Sequence, residues 1–144
     1  MKRLSGRGIR NLIGSTLLVG TMMIPTVGVA MTLSPGEKQN GVILEETGQL
    51  ASGDFVLESD NSLYDVYEFS GEAGQTVVIT MTSDEFDTYL GLLGPSGDVV
   101  AENDDSNGTT DSEIVVTLPS SGTYTVIANA YDQTGRGSYS LIVE

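Results

Sequence analysis

The 144-residue sequence contains no cysteine, no histidine and no tryptophan. Without thiol or imidazole it lacks the ordinary zinc ligands, any thiolate nucleophile and nearly every side chain that acts as a general base near neutral pH. Serines are plentiful, but a serine nucleophile needs a base beside it. Paired carboxylates can hydrolyse glycosides, yet a small chain without tryptophan has little with which to wall a sugar cleft. The sequence therefore reads as non-enzymatic. Positive charge is also scarce. Four of the six basic residues stand in MKRLSGRGIR, and beyond residue 30 only Lys38 and Arg136 remain. All 20 acidic residues follow residue 30, so two bases against 20 acids leave −18 on that portion. Such a surface is repelled by nucleic acid and anionic lipid, and its natural small partners are cations. No GxxxxGK[ST] or strand-linked GxGxxG occurs to cradle a phosphate. With no disulfide available, stability must come from one hydrophobic core, with bound metal as a possible supplement.

What is present begins with a basic start, a 19-residue apolar run from Leu12 to Ala30, and small residues at Gly28 and Ala30. That order is a secretory signal peptide over 1–30, cleaved after Ala30; an uncleaved membrane anchor is the competing reading. Residues 31–41 read as a flexible leader, and 42–144 as one domain. The expected location is secreted or periplasmic, with no membrane association after cleavage.

From about residue 41 the apolar pattern has a period of two. LYDVYEF (63–69) sets Leu63, Asp65, Tyr67 and Phe69 against Tyr64, Val66 and Glu68. TVVITMT (76–82), EIVVTL (113–118), TYTVIANA (123–130) and SYSLIV (138–143) alternate likewise. One apolar face per strand marks an antiparallel sheet half buried in a core. Glycine-bearing turns (GEAGQ, GPSGD, PSSGT, DQTGRG) separate the runs. About eight short strands in just over a hundred residues predict an all-β, antiparallel β-sandwich of the jelly-roll kind.

Three acidic clusters carry the remaining chemistry: ESDNSLYD with Asp65, SDEFDTYL with Asp84 and Asp87, and ENDDSNGTTDSE over 102–113. Calcium takes six to eight oxygens from such loops. Set on the EF-hand pattern, Asn103, Asp105 and Asn107 fall at positions one, three and five, Gly108 at six and Asp111 at nine. Position one lacks its aspartate and position twelve is Ile114, with Glu113 one residue early. Flanking strands replace the required helices, so this is no EF-hand. If 88–93 and 98–102 pair through the GPSG turn, Asp87 meets Asn103, Asp104 and Asp105 at one end of the sandwich. That two-loop cluster is the expected calcium site, with Asp111, Asp84 and Asp65 as further candidate ligands. The bland alternative is that these residues only cap turns.

The ordered series YDVYEF, GEAGQTVVITMTS, FDTYLGLLGPSGDVVAENDD, LPSSGTYTVIANAY and GRGSYSLIV resembles the bacterial pre-peptidase C-terminal domain family over roughly 42–144. The resemblance implies a jelly-roll-like appendage of secreted proteases and other exported enzymes, several members of which bind calcium. Its FD and NDD motifs fall on Asp87 and on Asn103, Asp104 and Asp105, and its acidic strand start on Asp65. The peptidase itself is absent from this chain. The resulting expectation is a secreted accessory module, stabilised by calcium and docking onto an exported protein or cell-surface polymer. Two alternatives stand beside it. One is a carbohydrate- or matrix-binding module presenting Tyr64, Tyr89 and Tyr131; the other is a chaperone or inhibitor of a separately encoded secreted protease.

Overall fold

The structure, a computed structural model, describes residues 41–105 and 108–144. The expected signal peptide of 1–30, nearly all of the expected leader, and Asn107 of the acidic loop lie outside the described residues. Nine strands are present among those described: β1 (Leu44–Leu50), β2 (Phe55–Val56), β3 (Leu63–Gly71), β4 (Thr76–Thr82), β5 (Thr88–Leu93), β6 (Val99–Asn103), β7 (Ser112–Thr117), β8 (Gly122–Ala130) and β9 (Gly137–Val143). They form two antiparallel sheets, ordered β1-β9-β4-β7 and β2-β3-β8-β5-β6. The expected β-sandwich is the observed one. Neither β1 nor β2 is among the segments singled out from the sequence, and β2, two residues long, is too short to show a period.

Alternation builds the core. Directly opposed residues of an antiparallel pair share a face. The register Val77↔Val116, Ile79↔Ile114 and Ile79↔Val143 therefore stacks one apolar row across the four-stranded sheet. The five-stranded sheet answers with Leu63, Phe69, Tyr124, Val126, Ala128, Leu90 and Leu92, all buried in the same cluster. Strand β5 departs from the pattern, since TYLGLL is buried at every position. Its Tyr89 and Leu93 face away from the core and join Leu57, Tyr64 and Ile127 in a second apolar cluster.

Tyr124 is fully buried, and its hydroxyl donates to the carbonyl of Ser120 at 2.6 Å. It also stacks on Phe69 at 5.6 Å between centroids. Tyr124→Phe keeps the stack and leaves that carbonyl short of one partner, so urea unfolding should show a loss of about 1 kcal/mol at unchanged m-value.

Candidate functional site

Three connections cross between the sheets at one end of the sandwich: 83–87 from β4 to β5, 104–111 from β6 to β7, and 131–136 from β8 to β9. A buried hydroxyl pair ties the first two together. Thr88 Oγ1 and Ser112 Oγ, both fully buried, lie 2.7 Å apart. Thr88 Oγ1 also lies 3.0 Å from the Thr110 carbonyl oxygen and Ser112 Oγ 2.9 Å from that of Asp104, so two hydroxyl protons serve three contacts. The third connection joins through the backbone, where Tyr131 N–H donates to the Asp87 carbonyl at 2.8 Å. Asp87 and Asp104 are thus each fixed through the main chain, leaving their carboxylates to be aimed.

Asp87 is half-buried, and its Oδ1 is a buried oxygen with no hydrogen-bond partner among the described residues. Burial pushes its carboxyl above the usual carboxylate range, and the negative charges of Asp105, Asp104 and Asp132 push it further. Charges from three connections thus act on one buried carboxylate, although Asp132 Oδ1 also accepts from the Thr134 N–H and hydroxyl at 2.7 and 2.6 Å. Such an arrangement is unfavourable unless a cation or proton joins it. Asn103 plays a supporting part. Its amide donates to the Glu113 carbonyl at 2.7 Å, and its Oδ1 accepts from Asp105 N–H at 3.0 Å, setting the bend of the acidic loop. Among the described residues no three carboxylates are gathered tightly enough to hold a metal ion as they stand. Coordination would require side-chain rotation, which the exposed Asp105 can make.

Asp84 and Asp111 are placed elsewhere. Together with Glu85 and Ser138 they line an open depression of about 390 Å³ at the end of the four-stranded sheet. Asp111 accepts from Ser83 N–H at 3.1 Å, and Glu85 accepts from Ser138 N–H at 2.6 Å. Asp65 lies on the inner face of β3, away from Asp87. It accepts from the Tyr139 hydroxyl at 2.5 Å, and the Tyr67 hydroxyl lies 2.6 Å from that of Tyr139. Burial raises the Asp65 carboxyl, the Tyr139 bond opposes that, and Asp54 adds to it. Burial likewise pushes the Tyr139 hydroxyl far up, so it stays a donor. Asp65 thus belongs to a polar bridge between the sheets. Of the tyrosines offered for surface contact, Tyr64 and Tyr89 are buried and Tyr131 is exposed at 36%. A two- or three-ring sugar platform is therefore not built from them.

Sequence reasoning missed Asp132 and the Thr88–Ser112 pair. Asp132 was visible only as part of a turn. Its approach to Asp87 depends on the pairing Thr88↔Ala130, a contact between distant segments.

Residues 63–130 match the family model described as the bacterial pre-peptidase C-terminal domain. Among solved structures, the chain is similar to the pre-peptidase C-terminal domain of a collagenase from Bacillus anthracis. The identity is 22% and the TM-score 0.55, covering 72% of this chain and 90% of that one. It is also similar to PliG of Aeromonas hydrophila, a periplasmic inhibitor of g-type lysozyme. There the identity is 17% and the TM-score 0.53, covering 75% of this chain and 90% of that one. No curated protein matches the chain. The two structural likenesses speak to the fold.

Proposed function

We propose that the chain, whose residues 63–130 match the bacterial pre-peptidase C-terminal domain model, is an exported, non-catalytic module, stabilised by calcium, that docks onto another exported protein. The observation that carries the calcium reading is the buried, unpartnered Oδ1 of Asp87 among the charges of Asp105, Asp104 and Asp132. All available donors are hard oxygens, the chemistry calcium takes and zinc or copper does not require. Asp87, Asp104, Asp105 and Asp132 would hold the ion, and Asn103 would orient Asp105. Bound calcium would add positive charge at an end of the sandwich where the one described cation, Arg136, donates to the carbonyls of Gln133 and Gly135 in its own connection. The chain's part would be to fix three connections so that side-chain rotation can bring their carboxylates onto one ion. Asp84, Asp111 and Asp65 stand outside this set.

Export is supported by the basic start and apolar run of the first 30 residues. A protein partner is favoured over a polysaccharide by the burial of Tyr64 and Tyr89. The two structural neighbours point the same way, being by description a collagenase domain and a lysozyme inhibitor.

Calcium that binds the folded chain alone stabilises it by RT ln(1 + [Ca]/Kd), about 1–2 kcal/mol at millimolar calcium for an extracellular-type site. For a domain of this size that corresponds to a midpoint rise of roughly 5–10 °C over EDTA in a thermal melt. Identical midpoints in the two conditions would remove the calcium reading.

A further inference from the structure

The two outer faces of the sandwich differ in chemistry. On the four-stranded sheet most outward positions are threonine or serine: Thr76, Thr80 and Thr82 of β4, Ser138 and Ser140 of β9, and Thr47 of β1; Val78, its cross-strand partner Val115 (63% exposed) and Ile142 are the apolar exceptions. The five-stranded sheet gathers more of the exposed apolar groups. Phe55↔Tyr64, Tyr64↔Asn129, Val66↔Ile127 and Leu93↔Val99 place an apolar row on its outer side. Phe55 stacks on Tyr64 at 5.5 Å between centroids and is itself 53% exposed. Of the six large hydrophobic residues exposed among those described, Phe55, Val66, Val99 and Tyr131 fall on this one side. They surround the buried cluster of Leu57, Tyr64, Tyr89, Leu93 and Ile127. Concentration of exposed apolar groups on one face, rimmed by polar ones, marks an interaction surface.

Charge selects the occupant. Glu68 and Glu102 stand on the same face, opposite Thr125 and Gly91, and Glu58 lies close enough to raise the Tyr64 hydroxyl. Among the described residues Arg136 is the one basic side chain against 19 acids. A second copy would set −18 against −18, and anionic lipid would be repelled in the same way. We propose that the outer face of the β2-β3-β8-β5-β6 sheet docks a cationic protein, with an apolar patch on the partner seated on Phe55, Val66 and Val99 and its basic rim on Glu58, Glu68 and Glu102. The proposal rests on the docking-module reading above and names the surface and the partner chemistry. Long-range attraction would speed encounter, and the apolar centre would hold the complex.

The test uses the purified chain and a fluorescent amphipathic helical peptide of about 18 residues, with lysines on one side and leucines on the other. A lysine–serine peptide and a glutamate–leucine peptide serve as controls. The lysine–leucine peptide should bind best, and Val66→Glu with Val99→Glu should weaken it by about tenfold or more, the loss typical of a central apolar contact. Unchanged thermal midpoints would show that these exposed substitutions leave the fold intact. Glu68→Lys should lower the association rate and its salt dependence. No binding by a folded sample, equal binding of either control peptide, or binding indifferent to the valine substitutions would each overturn the proposal. Self-association abolished by the same substitutions would overturn it in favour of a second copy. Failure here with an intact calcium response removes the docking surface and leaves the calcium-stabilised module standing; the reverse outcome does the opposite.

Discussion

Asp87→Asn is expected to stabilise the protein in EDTA by about 1 kcal/mol, the scale of an uncompensated buried acceptor, while abolishing its response to calcium. The substitution conserves shape and removes the charge that Asp104, Asp105 and Asp132 oppose. It also provides an amide donor beside their carboxylates. The pH dependence supplies an independent check. The folded-state Asp87 carboxyl is raised, first by burial and then by its neighbours. The folded form therefore holds its proton to higher pH than the unfolded chain. Its stabilising contribution is full below the ordinary carboxylate value and is lost as pH rises through the raised one. In EDTA the wild-type midpoint should climb on acidification through this window, and the Asn variant should climb less. The residual slope would come from Asp65, which is shifted in the same direction. Calcium should reverse the trend, because the ion needs the ionised carboxylates that acid removes. A destabilised Asn variant in EDTA would mean that Asp87 has a protein partner and no vacancy to fill.

Gly48→Ala is expected to destabilise by about 2–3 kcal/mol, through overpacking together with lost hydrogen bonds. A Cβ at residue 48 would stand 2.3 Å from both Cζ and Oη of Tyr139 and 2.7 Å from Cε1. The register pairs Gly48 with Tyr139, so the ring lies across the glycine on the inner face. That ring cannot swing away cheaply, since Tyr139 is 3% exposed and its hydroxyl is held by Asp65 and Tyr67. Alanine gains about 0.4–1 kcal/mol from a stiffer unfolded chain, which is too little to offset the clash. Tyr139→Phe alone should cost about 1–2 kcal/mol by stranding Asp65. Adding it to Gly48→Ala should cost clearly less, because both changes break the same bridge. Urea denaturation of the four proteins gives this cycle; additive losses would show that ring and glycine act independently.

The same two regions explain what the sequence made legible. Strand alternation is written directly in side-chain order, so β3, β4, β7, β8 and β9 could be read from LYDVYEF to SYSLIV. That Asp104 and Asp105 lie near enough to raise the Asp87 carboxyl was readable from a local hairpin, β5 with β6, whose GPSG turn is explicit. Asp132 required knowing that β8 lies beside β5, and Asp65 required knowing that β9 packs over β3. Neither relation is encoded locally, which is why one carboxylate was missed and the other grouped with calcium. Tyr64 and Tyr89 mislead for a related reason. Alternation assigns them to the outer side of a sheet but does not say how far that side is buried.

Calcium titration calorimetry on the wild type and on Asp87→Asn tests the central claim most directly. One saturable event with a dissociation constant of about 10⁻⁴–10⁻³ M is expected for the wild type. Its absence is expected for a folded Asp87→Asn variant. No binding heat with the wild type, or the same isotherm for both proteins, would contradict a cation site built on Asp87.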